Sequence, residues 1–117
     1  MPVEKWSEQI CIAHLPGDQH LAEELALLVE QAAESCCDLV LDMAAVRYVN
    51  SSHLAKLLKL RKMLVGGEHR LMLCAIDVQV WSTFLVTGLD KIFEFSESVT
   101  TGLASLQLGE GREGQSR

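Results

Sequence analysis

The chain has 117 residues, 49% of them hydrophobic, a net charge of −6 and a mean hydropathy of +0.18. That length fits one domain around one core, and the acidity argues against nucleic acid as a partner. No apolar run reaches the roughly 18–20 residues that cross a bilayer, and with only six aromatic residues the core must be mostly Leu, Val, Ile and Ala.

The opening residues, M-P-V-E-K-W-S-E, carry neither a basic n-region nor an apolar h-region. A secretory leader is therefore not expected, and the chain reads as cytoplasmic. Cys11, Cys36, Cys37 and Cys74 form no C-x-x-C pair, and His14 and His20 add no ligand rhythm. They read as reduced, mostly buried thiols, with no metal and no cofactor implied.

In chain order, Q-I-C-I-A (9–13) predicts a short strand that ends at L-P-G-D (15–18). Pro16 and Gly17 break it, and Asp18 is placed to cap the next helix. Leu21, Leu25, Leu28 and Ala32 recur at helical spacing over about 19–35, leaving Glu23, Glu24, Glu30 and Gln31 for water. Leu39, Val40, Leu41 and Met43, interrupted only by Asp42, suit a strand covered on both faces. Beyond V-R-Y-V-N-S-S-H (46–53), Leu54, Leu57, Leu58, Arg61 and Leu64 repeat at three and four. Lys56, Lys59 and Lys62 lie off that stripe, and Gly66-Gly67 predicts a left-handed residue at the helix end. L-M-L-C-A-I (71–76) reads as another buried strand. Val78, Trp81 and Leu85, with Phe84, predict a third amphipathic helix stopped at Thr87-Gly88. Residues 92–95 predict a short strand, and Val99, Leu103 and Leu106 outline a last helix.

Strand and helix thus alternate four times, which predicts an α/β fold with a mostly parallel sheet. The expected architecture is a single domain over 1–108, with four to five strands and about four helices. Whether an extra N-terminal strand forms within 2–6 is left open by the sequence. The segment from Gly109, G-E-G-R-E-G-Q-S-R (109–117), has nothing to bury and is expected to be a disordered tail. Charge is uneven along the chain: from Trp6 to Val46 there are eight acids and no Lys or Arg. Lys56, Lys59, Arg61 and Lys62 then crowd one helix, with Arg47 nearby. Such contrast is either two solvated faces or a docking surface that sets orientation.

These pieces, namely L-P-G-D (15–18), V-L-D-M (40–43), V-N-S-S-H-L (49–54), the basic Leu-rich helix ending in G-G, and V-T-G-L-D-K-I-F (86–93), carry a resemblance. In that order and spacing the sequence resembles the STAS family, named for sulfate transporters and anti-sigma-factor antagonists, over about residues 10–108. The resemblance implies a small α/β domain without enzymatic activity. It also implies a protein partner, a serine kinase that doubles as an anti-sigma factor, released when one hydroxyl is phosphorylated. The family's loop commonly reads D-S-S-G or D-T-S-G, and its second hydroxyl is the acceptor. By position that is Ser52, with Ser51 as the fallback.

The implied partner surface centres on Asn50, Ser51, Ser52 and His53 and extends along the helix over Lys56 and Lys59. Two positions depart from the pattern. Asn50 replaces Asp and removes a carboxylate, and His53 replaces Gly and adds bulk where a partner backbone would approach. The rival reading under the same resemblance is a non-phosphorylated scaffold, such as an accessory subunit that docks on the ATPase of a phospholipid-transport ABC complex. Neither reading needs membrane insertion or nucleic acid, and the oligomeric state is left open.

Residue chemistry alone leaves two readings of the serines. A helix N-terminus tolerates a phosphate, while that phosphate would disrupt a surface docked over it. The plainer reading is that Asn50, Ser51 or Ser52 only caps the helix. Asp42, a carboxylate at a strand end, is expected to accept from loop N–H groups in a structural role. It has no companion acid, histidine or phosphate loop, and His53 beside Ser52 lacks an orienting third group, so no catalytic site is expected.

Overall fold

Side-chain alternation along the strands sorts the apolar residues into two cores, one on each face of a single sheet. The computed structural model describes residues 3–17, 19–34 and 37–108. Five strands, β1 (Val3–Lys5), β2 (Ile10–His14), β3 (Asp38–Asp42), β4 (Leu71–Cys74) and β5 (Glu94–Ser96), lie side by side in chain order. β1 runs antiparallel to β2, and every later pairing is parallel. The helices α1 (Leu21–Ala32), α2 (Ser51–Gly66) and α3 (Val78–Thr87) make the crossovers, and α4 (Val99–Leu108) follows β5. The α/β fold is as expected, and the N-terminal strand that the sequence left open does form.

Ala13, Leu39, Leu41, Leu71 and Leu73 meet the buried residues of α1, α2 and α3 in the larger core. The intervening residues Ile10, Ile12, Val40, Met72 and Cys74 meet Leu103 and Leu106 of α4 on the opposite face. Both faces of the central strands are covered, which explains their unbroken apolar runs. Cys74 is buried, whereas Cys11 and Cys37 are only half-buried. Cys36 lies outside the described residues, as does the expected tail at 109–117.

Several expected details shift. α1 begins later and ends earlier than 19–35, with His20 at the cap position and no side-chain cap bond; Asp18, the expected cap, lies outside the described residues. On α2 the buried stripe is Leu54, Leu57, Leu60 and Leu64, with Leu58 and Arg61 at its margins. Gly67 at the end of α2 is not left-handed (φ −95°); Glu68 is, at φ 66°. His69 N–H donates to the Leu64 carbonyl at 2.8 Å and Glu68 N–H to that of Val65 at 2.9 Å, which closes the helix.

The third helix is rotated from its expected face. Val80 and Phe84 point inward, while Val78 and Val86 are 78% and 87% exposed and Leu85 also faces water. Trp81 is anchored by one edge on Phe95, ring centroids 4.9 Å apart. Its stop at Gly88 is left-handed (φ 77°), as the sequence suggested. A 3-10 turn, Leu89–Lys91, then delays β5 beyond the expected 92–95.

Candidate partner-docking and modification site

The C-terminal ends of β2 and β3 and the loop 43–50 that follows β3 bring the sequence-predicted site residues together. Asp42 Oδ1 accepts from the N–H of Ala44 at 3.1 Å, and the Val46 N–H closes a turn on the Met43 carbonyl at 3.0 Å. Val46 and Val49 are buried and pin the loop to the core. Gly17 presses on it from above: a Cβ built there would lie 1.7 Å from the Ala45 carbonyl oxygen. Glycine at 17 is thus required by this close approach of two backbones. Arg47 reaches Asp77 at the start of α3 at 4.0 Å, and Tyr48 stays exposed.

The chain arrives at α2 with Asn50 extended (φ −113°, ψ 179°). Asn50 Oδ1 accepts from the His53 N–H at 2.9 Å, and the Asn50 N–H donates back to His53 Nδ1 at 3.1 Å. This is a reciprocal capping box with an imidazole in the place usually held by Glu or Gln. Asn50 is therefore the cap, and the serines are not. Ser51 and Ser52 are both exposed on the first turn, and Ser52 Oγ accepts from Lys56 Nζ at 3.0 Å. Desolvation, with Lys56 second, pushes the His53 pKa below its ordinary value. A neutral ring is the form whose Nδ1 can accept from the Asn50 N–H. The departure from glycine at 53 thus has a local structural use.

Sequence reasoning missed one cluster at this end of the sheet. His14 on β2 places Nδ1 2.7 Å from Asp42 Oδ2 and Nε2 2.7 Å from Glu4 Oε1. The ring bridges three adjacent strands on the α4 face. Hydrogen bonds to Glu4 first and Asp42 second push the His14 pKa up, so the imidazolium is favoured, the only form that donates to both carboxylates. Alternation could have placed His14 and Asp42 on one face. The pairing itself depends on strand register, which sets His14 beside Asp42. The neighbouring Cys74 thiol is pushed up to about 12 by burial and by Asp42, so it stays protonated.

Chemically, this end of the molecule presents two hydroxyls on a fixed helix start, with a lysine beside the second. Lys56 donates to Ser52 Oγ and so would stabilise an anion there rather than withdraw its proton. Lys59 and Lys62 continue the exposed face along α2, with Lys56 half-buried. Among the described residues no group of three or more His, Cys, Asp or Glu is arranged to hold a metal.

A family model described as the STAS domain matches residues 7–102. The fold is similar to that of a candidate anti-sigma factor antagonist from Thermotoga maritima, at 13% identity over 91% of this chain and 93% of that one, with a TM-score of 0.78. It is also similar to a sulfate transporter family protein from Wolinella succinogenes, at 14% identity over 86% and 84% of the two chains, with a TM-score of 0.70. The Bacillus cell fate determinant SpoIIAA in its phosphorylated form matches at 15% identity over 89% and 96%, with a TM-score of 0.68. At these identities the likeness shows the fold alone.

Proposed function

This chain belongs to the STAS domain family, and from that premise we propose that it is a non-enzymatic regulator resembling an anti-sigma-factor antagonist. Its partner is a serine kinase that doubles as an anti-sigma factor, and phosphorylation of Ser52 releases it. The observation that carries this reading is the separation of roles at the start of α2. Asn50 and His53 complete the cap, which leaves Ser52 exposed with its hydroxyl held by Lys56. A phosphate at this position meets the positive end of the helix and an ammonium, so the domain tolerates it. A partner docked over the same turn meets nearly two new negative charges and their hydration.

The docking surface comprises Asn50, Ser51, Ser52 and His53 and runs on over Lys56 and Lys59. Asp42 shapes it from below through Ala44. Incubation with candidate partner kinases and ATP, followed by intact-mass measurement, should add one phosphate that Ser52→Ala abolishes. A phosphate retained in Ser52→Ala but lost in Ser51→Ala moves the acceptor by one residue. No modification, together with stoichiometric co-purification of a transporter ATPase, rejects the kinase reading for the scaffold one.

A further inference from the structure

α1 and α2 pack side by side over the sheet, and each turns a stripe of one charge sign outward. On α1, Glu23, Leu27 and Glu30 are exposed at spacings of four and three, and the helix contains no Lys or Arg. On α2, Ser52, Ala55, Lys59 and Lys62 form the outward stripe, and no acid occurs anywhere from 43 to 67. Among the described residues, Glu23, Glu30, Lys59 and Lys62 have no ion-pair partner within the chain. Leu27, 41% exposed, stands between the two acids. A shallow groove lined by Leu58, Lys59, Lys62, Met63 and Gly66 opens on the neighbouring helix.

We propose that this two-helix face is a self-complementary interface on which a second copy of the chain docks, α1 of each copy against α2 of the other. Charge selects the symmetry. A two-fold axis parallel to the helices sets each acidic stripe against a basic one, twice over, as an isologous contact requires. An axis across the helices would instead set acid against acid and base against base. In the favoured arrangement Leu27 of each copy meets the Leu58–Met63 groove of the other, which supplies an apolar centre inside a charged rim.

A helix of twelve residues is about 18 Å long, and two adjacent helices are about 20 Å wide. The footprint is therefore at the low end of specific interfaces, and the dimer is weak, steered by charge and sensitive to salt. Because both helices start at the same end of the sheet, Ser52 of one copy comes opposite the first turn of α1, near Glu23, of the other. A phosphate on Ser52 would oppose the dimer there; that consequence rests on the modification proposed above, whereas the interface does not.

Sedimentation velocity on the full chain, from about 5 to 200 µM in about 50 mM salt, should show monomer passing to dimer, reversed in about 0.5 M salt. Glu23→Lys with Glu30→Lys, or Lys59→Glu with Lys62→Glu, should each weaken association at least about tenfold, and an equimolar mixture of the two double variants should restore heterodimers. Circular dichroism of each variant establishes that it is folded. A chain that stays monomeric throughout overturns the proposal. So does a dimer indifferent to both charge reversals, or a mixture of folded variants that fails to associate.

Discussion

The ammonium of Lys56 sits 3.0 Å from the Ser52 hydroxyl, one helical turn along α2. A negative group at 52 therefore gains both the helix end and a cation four residues on. Ser52→Glu should raise stability by about 0.5–1 kcal/mol, or about 2–6 °C in melting temperature. Adding Lys56→Ala should remove about half of that gain. A Ser52→Glu chain that melts below the parent would show that the fold does not accommodate charge at this turn.

The reciprocal cap makes a second expectation. Asn50→Ala removes the acceptor for the His53 N–H and should cost about 1 kcal/mol, seen as a lower urea midpoint. His53→Ala removes only the returning acceptor and should cost less. Asn50→Asp keeps the acceptor and adds charge at the helix N-terminus, so it should match or exceed the parent.

His14 and His53 respond to pH in opposite directions. The His14 pKa is raised, so its contribution is complete below about pH 6.5 and is lost as pH rises through the higher folded value. The His53 pKa is lowered, so its contribution is complete above about pH 6.5 and is lost as pH falls towards the lower folded value. The gap in melting temperature between the parent and His14→Gln should therefore be wider near pH 6 than near pH 9. The gap for His53→Gln should change the other way. Because His14 is well exposed, solvent screening keeps its effect small.

Gly17→Ala tests the contact between the two loops. Its new Cβ would sit 1.7 Å from a backbone oxygen of Ala45, so the loop into α2 must move. A loss of about 2–3 kcal/mol in thermal or urea unfolding is expected, larger than a loop glycine ordinarily shows.

Glu68→Gly should change stability in the opposite sense. Glu68 holds a left-handed conformation (φ 66°) that costs a non-glycine residue about 1–2 kcal/mol. Glycine removes that strain but loosens the unfolded chain, for a net gain of about 1 kcal/mol in urea unfolding. An unchanged midpoint would mean that the side chain offsets its own strain.

Local periodicity carried the order and type of the elements, because each signal lies within one strand or helix. The apolar runs at 39–41 and 71–74 suit strands covered on both faces, and helices do cover them from opposite faces. Periodicity misplaced the buried side of α3, where apolar residues occur all round the helix. Of the expected Val78, Trp81, Phe84 and Leu85 only Phe84 turns fully inward, joined by Val80, and only the position over the sheet chooses between these faces. The same limit applies to Gly66-Gly67: the composition marked the helix end, but the hydrogen bonds put the left-handed residue one place later.

For the site, the sequence alone determined that serines and a cap-forming residue stand where a buried strand gives way to a basic helix. Which residue caps, which hydroxyl Lys56 reaches, and that His14 joins Glu4 to Asp42 were decided by tertiary structure. Capping depends on backbone angles at a single residue, and the histidine bridge depends on register between strands far apart in the chain. Hydrophobic spacing records which side chains leave water, whereas hydrogen-bond partners are set by where the folded backbone brings their atoms.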